Sequence, residues 1–359
     1  MKVTVVGAGN SGCAHAAMLV ENGHEVTLVK TSHSMHDESF AAISDTGRIT
    51  CIDSTRGDLR FEAKLANVTR DIKQGLEAAD VVLILTQSLQ HRTLAPRISP
   101  HLRDGQVVLI IPGNMGSIMF DNELPAGRHV IFAEGESTPF DARLIAPGVV
   151  NILFKNVRNA VSFLYKKDET YLNVIHSLFG AHKYLRKNVI ESTMHNPNLV
   201  VHTIGSVMSA SRIEQSKGEF WMYREAFSPS IWNLINQLDK EKNQILKAFG
   251  GQESSYLDQC KWRNESDLSK DSLAVFESYA ADGGPKGPAD LNTRYIYEDV
   301  PMELGMLELL GKYKSIPTPI TSAIITIASG LKGEDYRKVT YDLDSISKHL
   351  TRLLDEAKV

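Results

Sequence analysis

The sequence predicts an α/β fold, in which a doubly wound parallel sheet in the N-terminal half is followed by an all-α C-terminal domain. Three observations carry this expectation. Short β-branched apolar runs alternate with helical periodicity as far as Ala133. The runs are β-branched and, after Glu25 at the start of the second, free of charge, as in strands buried on both faces. From Val189 onward the pattern is almost entirely helical. A length of 359 residues, at about 150 residues per domain, gives two domains, expected at 1–187 and 188–359.

Taken in order, strands are expected at 3–6, 25–29, 81–85, 107–111 and 130–133, with helices at 11–21 and 93–102 between them. The texture then changes. Residues 142–154 and 159–166 read as antiparallel strands and 169–179 as one more helix, completing the first domain. Long helices are expected at 198–215, 229–249, 272–281 and 343–357, the last with a charged, solvated face. The Gly/Pro-rich run from Gly283 to Pro288 reads as a surface connector. Trp221, Met222, Tyr223 and Trp232 read as packing or a dimer face, and His91 and His195 as ordinary polar residues.

Composition narrows the function. Apolar residues at 42% and charged residues at 23% are ordinary for a globular chain, so disorder is a poor reading. Lys and Arg number 39 against 43 Asp and Glu, and the net charge of −4 offers no basic footprint for nucleic acid or an anionic membrane. Cys13, Cys51 and Cys260 are odd in number and far apart, which suggests neither a disulfide framework nor a metal site. No apolar run is long enough to cross a bilayer, and the first residues lack a signal-peptide pattern. A cytoplasmic protein acting on small molecules is expected, with a homodimer as the prior.

Gly7-Ala8-Gly9-Asn10-Ser11-Gly12 follows the first strand and opens a helix, the context that makes Gly-x-Gly-x-x-Gly a dinucleotide fingerprint. Gly7 permits the turn, Gly9 lets the backbone approach a pyrophosphate, and Gly12 lets the helix pack close to the sheet. The amides of Asn10, Ser11 and Gly12 then face the phosphates at a helix N-terminus. The first domain is therefore expected to be of the Rossmann type. NAD enzymes carry an acid at the end of the second strand. Lys30, Thr31, Ser32 and His33 stand there, a turn suited to a 2′-phosphate, so NADP is expected over NAD, which remains the alternative. Thr86, Gln87 and Ser88, together with Pro112-Gly113-Asn114, end later strands where a nicotinamide would lie.

Carbonyl or imine reduction also needs a group that exchanges protons near neutrality. His202 lies in an amphipathic helix one turn after Asn198, on the same face. After the Gly/Pro run, Leu291-Asn292-Thr293-Arg294-Tyr295-Ile296-Tyr297-Glu298-Asp299 concentrates arginine, tyrosine and acids. A guanidinium is a natural bidentate partner for a carboxylate, and an aspartate beside a histidine orients its ring.

These residues resemble the octopine/nopaline-type opine dehydrogenases, in particular their bacterial carboxyethyl-norvaline branch, over most of the chain. The resemblance lies in the N-terminal fingerprint and in Asn196-Pro197-Asn198-Leu199-Val200-Val201-His202, which matches Asn-x-Asn-x-x-x-His. It continues in Arg212 and Glu214, in Gly287-Pro288, in Leu291 to Tyr295, and in Glu298-Asp299-Val300. It implies that His202 is the general acid/base, Asp299 its partner and Arg294 the holder of a substrate carboxylate. It also implies NAD(P)-dependent condensation of an α-keto acid with an amino acid, the imine being reduced to a secondary amine dicarboxylate. Two departures stand out: Lys30 replaces the aspartate of an NAD-using member, and the residues between His202 and Arg212 differ, so the substrate does not transfer. A simple ketoacid or 2-hydroxyacid reductase on the same fold, and a noncatalytic NADP-binding redox sensor, remain the alternatives.

Overall fold

The computed structural model describes residues 1–281 and 286–357. Its chain divides into two compact units, Met1–Val189 and Ile190–Val359. The first unit contains twelve strands: β1 (Lys2–Val6), β2 (Glu25–Val29), β3 (Arg48–Asp53), β4 (Leu59–Lys64), β5 (Asn67–Thr69), β6 (Val81–Ile84), β7 (Val107–Ile110), β8 (Ile131–Gly135), β9 (Phe140–Ala146), β10 (Val149–Lys155), β11 (Asn159–Phe163) and β12 (His182–Leu185). Its helices are α1 (Asn10–Glu21), α2 (Asp37–Thr46), α3 (Ile72–Leu76), α4 (His91–Ile98), α5 (Gly116–Asn122) and α6 (Leu172–Phe179).

Eight strands form the main sheet in the order β12-β11-β8-β7-β6-β1-β2-β5. All its pairings are parallel except β11 with β8. Val5, Leu83 and Leu109 are fully buried along its centre, consistent with unbroken apolar runs in strands covered on both faces. The chain moves outward from β1 through β2 to β5 and then returns to β6 on the other side of β1. This reversal opens a switch point beyond the carboxyl ends of β1 and β6, where open α/β sheets bind ligands.

The structure corrects the expectation for 142–154. This segment belongs to two strands, β9 and β10, which turn at Pro147-Gly148, where Gly148 has φ +72°. With β3 and β4 they make a separate four-stranded sheet in the order β4-β3-β10-β9. That sheet lies against α1, whose other side meets β1 and β2. A helix covered on both sides must be apolar and small all round, and Gly12, Cys13, Ala14, Ala16, Ala17 and Leu19 are all buried. Residues 159–163 instead join the main sheet as β11, and β12 beside it had no strand signal of its own.

The second unit is helical: α7 (Val189–Met194), which begins at the boundary, α8 (Asn198–Val207), α9 (Ala210–Ser216), α10 (Met222–Glu225), α11 (Pro229–Ala248), α12 (Tyr256–Asn264), α13 (Ser272–Ala281), α14 (Arg294–Tyr297), α15 (Gly305–Lys314), α16 (Pro319–Lys332) and α17 (Leu343–Ala357). A π-helical turn, Val300–Leu304, connects α14 to α15. The helix expected at 198–215 is two helices that break at Met208-Ser209. Periodicity misses such a break because both halves keep the 3.6-residue pattern.

Tyr223, Phe227, Trp232, Tyr256 and Phe276 pack ring against ring, many edge to face, consistent with the packing reading of that aromatic region. Gly283, Gly284 and Pro285 of the Gly/Pro run lie outside the described residues. Its far end is more than a connector. Gly287 N–H donates to Phe220 O at 2.8 Å, and a Cβ on Gly287 would meet the Phe220 ring at 2.6 Å.

Candidate functional site

In the first unit, the glycine turn sits at the switch point of the sheet. Gly7 has φ +120°, and a Cβ there would lie 2.5 Å from Leu85 O at the end of β6. On Gly12 a Cβ would lie 1.8 Å from Gly7 O. Both positions are closed to any other residue by the protein's own backbone. Gly9 differs: its φ is −91°, and the nearest atom to an added Cβ is the His36 ring at 3.4 Å. Neither packing nor conformation requires glycine at that position, which fits an approach reserved for a ligand.

Around Gly9, α1 starts without a side-chain cap and without an acid in its first turn. Its first intrahelical bond runs from Cys13 N–H to Gly9 O, so the preceding amides of Asn10, Ser11 and Gly12 point out of the helix end, as an anion site needs. The Asn10 side chain is occupied, its Oδ1 accepting from Leu144 N–H at 2.8 Å and tying the turn to β9. Ser11 Oγ lies 3.3 Å from His15 Nδ1. Thr86 Oγ1, at the end of β6, is buried without a hydrogen-bond partner among the described residues. An open glycine, an uncapped helix end and an orphaned hydroxyl suit a dinucleotide pyrophosphate.

Lys30 is 4% exposed. Its ammonium donates to Met35 O at 2.8 Å and Ser32 Oγ at 3.4 Å, and Asp37 Oδ1 lies 3.3 Å away. All three of its donors thus have protein partners. Thr31 is half-buried and Ser32 exposed. Sequence reasoning missed Arg70, which follows β5 next to β2. Its guanidinium donates to Ser32 O and to Asp37 Oδ1, the latter at 2.9 Å, and lies 4.6 Å over the Phe40 ring. Arg70 foremost, with Lys30, holds Asp37 below the usual carboxylate range. Two cations against one acid leave this corner positive.

In the second unit, His202, Asp299, Arg294 and Tyr295 come together although 97 residues separate the first two. His202 Nδ1 and Asp299 Oδ2 are 2.6 Å apart, and the two residues are 6% and 2% exposed. A carboxylate only accepts, so the shared proton sits on Nδ1. Tyr295 stacks on the imidazole with ring centroids 3.5 Å apart and planes inclined by 13°. Asn198 opens the same helix one turn earlier, and its side-chain amide has no hydrogen bond to a described residue.

Asn196 was only a motif letter in the sequence, yet it organises this end of α8. Its Oδ1 accepts from Asn198 N–H at 3.1 Å, and its Nδ2 donates to buried Glu303 Oε1 at 2.9 Å. The Asn-Pro-Asn spacing was the available signal. Arg294 is exposed over much of its surface and makes no hydrogen bond or ion pair to a described residue. Loss of solvation opposes its charge, but Asp299, Glu298, Tyr295 and Glu303 outweigh this and raise its pKa. Arg212, by contrast, is paired with Glu225 at 2.9 Å. No group of three or more His, Cys, Asp or Glu among the described residues could hold a metal, and no described helix is long and apolar enough to cross a membrane.

Both halves of the chain match known families. Residues 185–332 match the family described as NAD/NADP octopine/nopaline dehydrogenase, alpha-helical domain, and residues 3–150 match ketopantoate reductase PanE/ApbA. The opine dehydrogenase of Arthrobacter sp. (strain 1C) is 30% identical over 356 residues, covering 95% of this chain and 94% of that one. Among solved structures, octopine dehydrogenase in complex with NADH and agmatine superposes with a TM-score of 0.77 at 17% identity, covering 99% of this chain and 97% of that one. NADP+-bound yersinopine dehydrogenase gives 0.73 at 11% identity, covering 100% and 99%.

Proposed function

The chain belongs to the opine dehydrogenases of the octopine/nopaline type, NAD(P)-dependent oxidoreductases acting on CH–NH bonds, and from that premise we propose that it condenses an α-keto acid with an amino acid and reduces the imine using NADPH. When bound, the cofactor supplies the hydride. The observation that carries the reading is the short His202–Asp299 contact beside a guanidinium that makes no hydrogen bond or ion pair to a described residue.

His202 exchanges the proton. With Nδ1–H donating to Asp299, the neutral ring leaves Nε2 to take or give a proton at the substrate, a role worth about a hundred- to ten-thousandfold in rate. Asp299 fixes the tautomer and stabilises the charged ring. Arg294 grips the keto acid carboxylate in a two-point contact. Asn198, one turn away, offers its amide to the substrate. The backbone from Gly7 to Gly12 and Thr86 hold the dinucleotide, while Lys30, Thr31 and Ser32 frame its ribose end. NADP is favoured over NAD because Lys30, not an acid, follows β2, and because Lys30 and Arg70 outnumber the Asp37 carboxylate they share.

The test is a matrix of α-keto acids against amino acids, read by loss of NADPH or NADH absorbance, with His202→Ala as control. NADPH oxidation that requires both substrates, and that falls at least about a hundredfold in the variant while cofactor binding persists, is expected. Oxidation with a keto acid alone would identify a plain ketoacid reductase. Cofactor binding without turnover for any pair would identify a sensor.

A further inference from the structure

We infer that Tyr295 is a positioning residue whose ring face holds the charged, proton-donating form of His202; this rests on the proton-transfer role proposed above. The observation is the stack itself. With centroids 3.5 Å apart and planes only 13° from parallel, the rings lie almost directly over one another. Neutral aromatic pairs avoid that arrangement in favour of offset or edge-to-face contacts, because their quadrupoles repel. An imidazolium reverses the sign: a cation above the negative face of a phenol ring is attracted to it. The geometry therefore suits the acid form of His202, with Asp299 on its Nδ1 edge and Tyr295 on its face. His202 is nearly closed to solvent, which strengthens both contacts relative to water.

The other charges packed around α8 have partners of their own. The charge of Arg294 in α14 is favoured by Asp299 and Glu298, which follow that helix, and by Glu303 in the π-helical turn. On α11, Asp239 pairs with Lys242, and Glu241 accepts from Ile320 and Thr321 N–H at the start of α16. Between α9 and α10, Arg212 pairs with Glu225, and the one charge within α16 is Lys332 in its last turn. Tyr295 lies against the face of the His202 ring.

The experiment is the pH profile of kcat/KM for imine reduction in the full-length enzyme. His202 must be protonated to act as the acid, so activity falls as pH rises through its pKa. Removing the aromatic face in Tyr295→Leu is expected to move that limb to lower pH by roughly half to one unit, with the KM for NADPH unchanged. Tyr295→Phe, which keeps the face, is expected to leave it in place. Should Tyr295→Leu fail to fold, progressively fluorinated phenylalanines at position 295 weaken the face without changing its shape and are expected to move the limb stepwise the same way. A limb that stays put through these changes would reduce Tyr295 to packing. Full turnover by His202→Ala would instead overturn the proton-transfer reading, so the two failures are distinguishable.

Discussion

A residue's need for glycine is visible in what a methyl group would strike. On Gly12 it meets Gly7 O at 1.8 Å, a backbone atom that cannot yield, whereas on Gly9 it meets only the edge of the His36 ring at 3.4 Å. Gly12→Ala should therefore destabilise the fold by about 3 kcal/mol, read as a lower urea midpoint. Gly9→Ala should keep the wild-type midpoint and weaken NADPH binding about tenfold or more, some 1.4 kcal/mol. Equal affinity in Gly9→Ala would remove the pyrophosphate from that turn. The fingerprint and the separate roles of its second and third glycines were legible from spacing, but the atoms that would block a side chain at each were not, because they depend on what lies across the turn.

At the scale of elements, the cofactor corner forms because β5 lies beside β2 and brings Arg70 next to the segment that follows Lys30. Lys30 was legible as a strand-end cation. Its burial was not, since only the folded loop shows that Met35 O, Ser32 Oγ and Asp37 surround its ammonium. Arg70 commits one donor to Asp37 and one to Ser32 O, leaving others of its five for an anion. Arg70→Ala is thus expected to raise the KM for NADPH about tenfold and leave that for NADH within about twofold, the loss of a charge-assisted hydrogen bond. Equal effects on both cofactors would deny Arg70 any part in reading the 2′-phosphate.

Across the whole molecule, buried histidines shape the pH dependence of stability. Burial holds His15 down to about 3, and His91 and His182 to about 4. His91 has no hydrogen bond on either ring nitrogen among the described residues. A depressed folded-state pKa contributes stability that is present above the unfolded value near 6.5 and lost as pH falls toward the folded value. Each group then costs about 1.4 kcal/mol per pH unit. Glu134, raised to about 7 by burial against the hydrogen bonds from Ser117 and Met115, runs the other way: its contribution is full below about 4.5 and lost as pH rises to 7. Three protons against one leave a net loss of roughly 3 kcal/mol per pH unit between about pH 6 and 4.5. Urea unfolding at several pH values should show it, and His91→Leu should reduce the slope by about half. A flat profile would mean that these imidazoles are not neutral in the folded chain.

The sequence by itself determined the alternation of buried strands and helices, the glycine turn, and the residue types of the proton-transfer site, because each is written in periodicity or in short fixed spacing. Tertiary structure decided what those residues face. It laid a second sheet against α1, split 198–215 into two helices, closed protein groups around Lys30 and brought Arg70 beside it. It also set Asp299 on the edge of the His202 ring and Tyr295 on its face. The physical reason is distance along the chain: hydrogen bonds and ring contacts act over a few ångströms, and the 97-residue step from His202 to Asp299 carries no local signal that the two will meet.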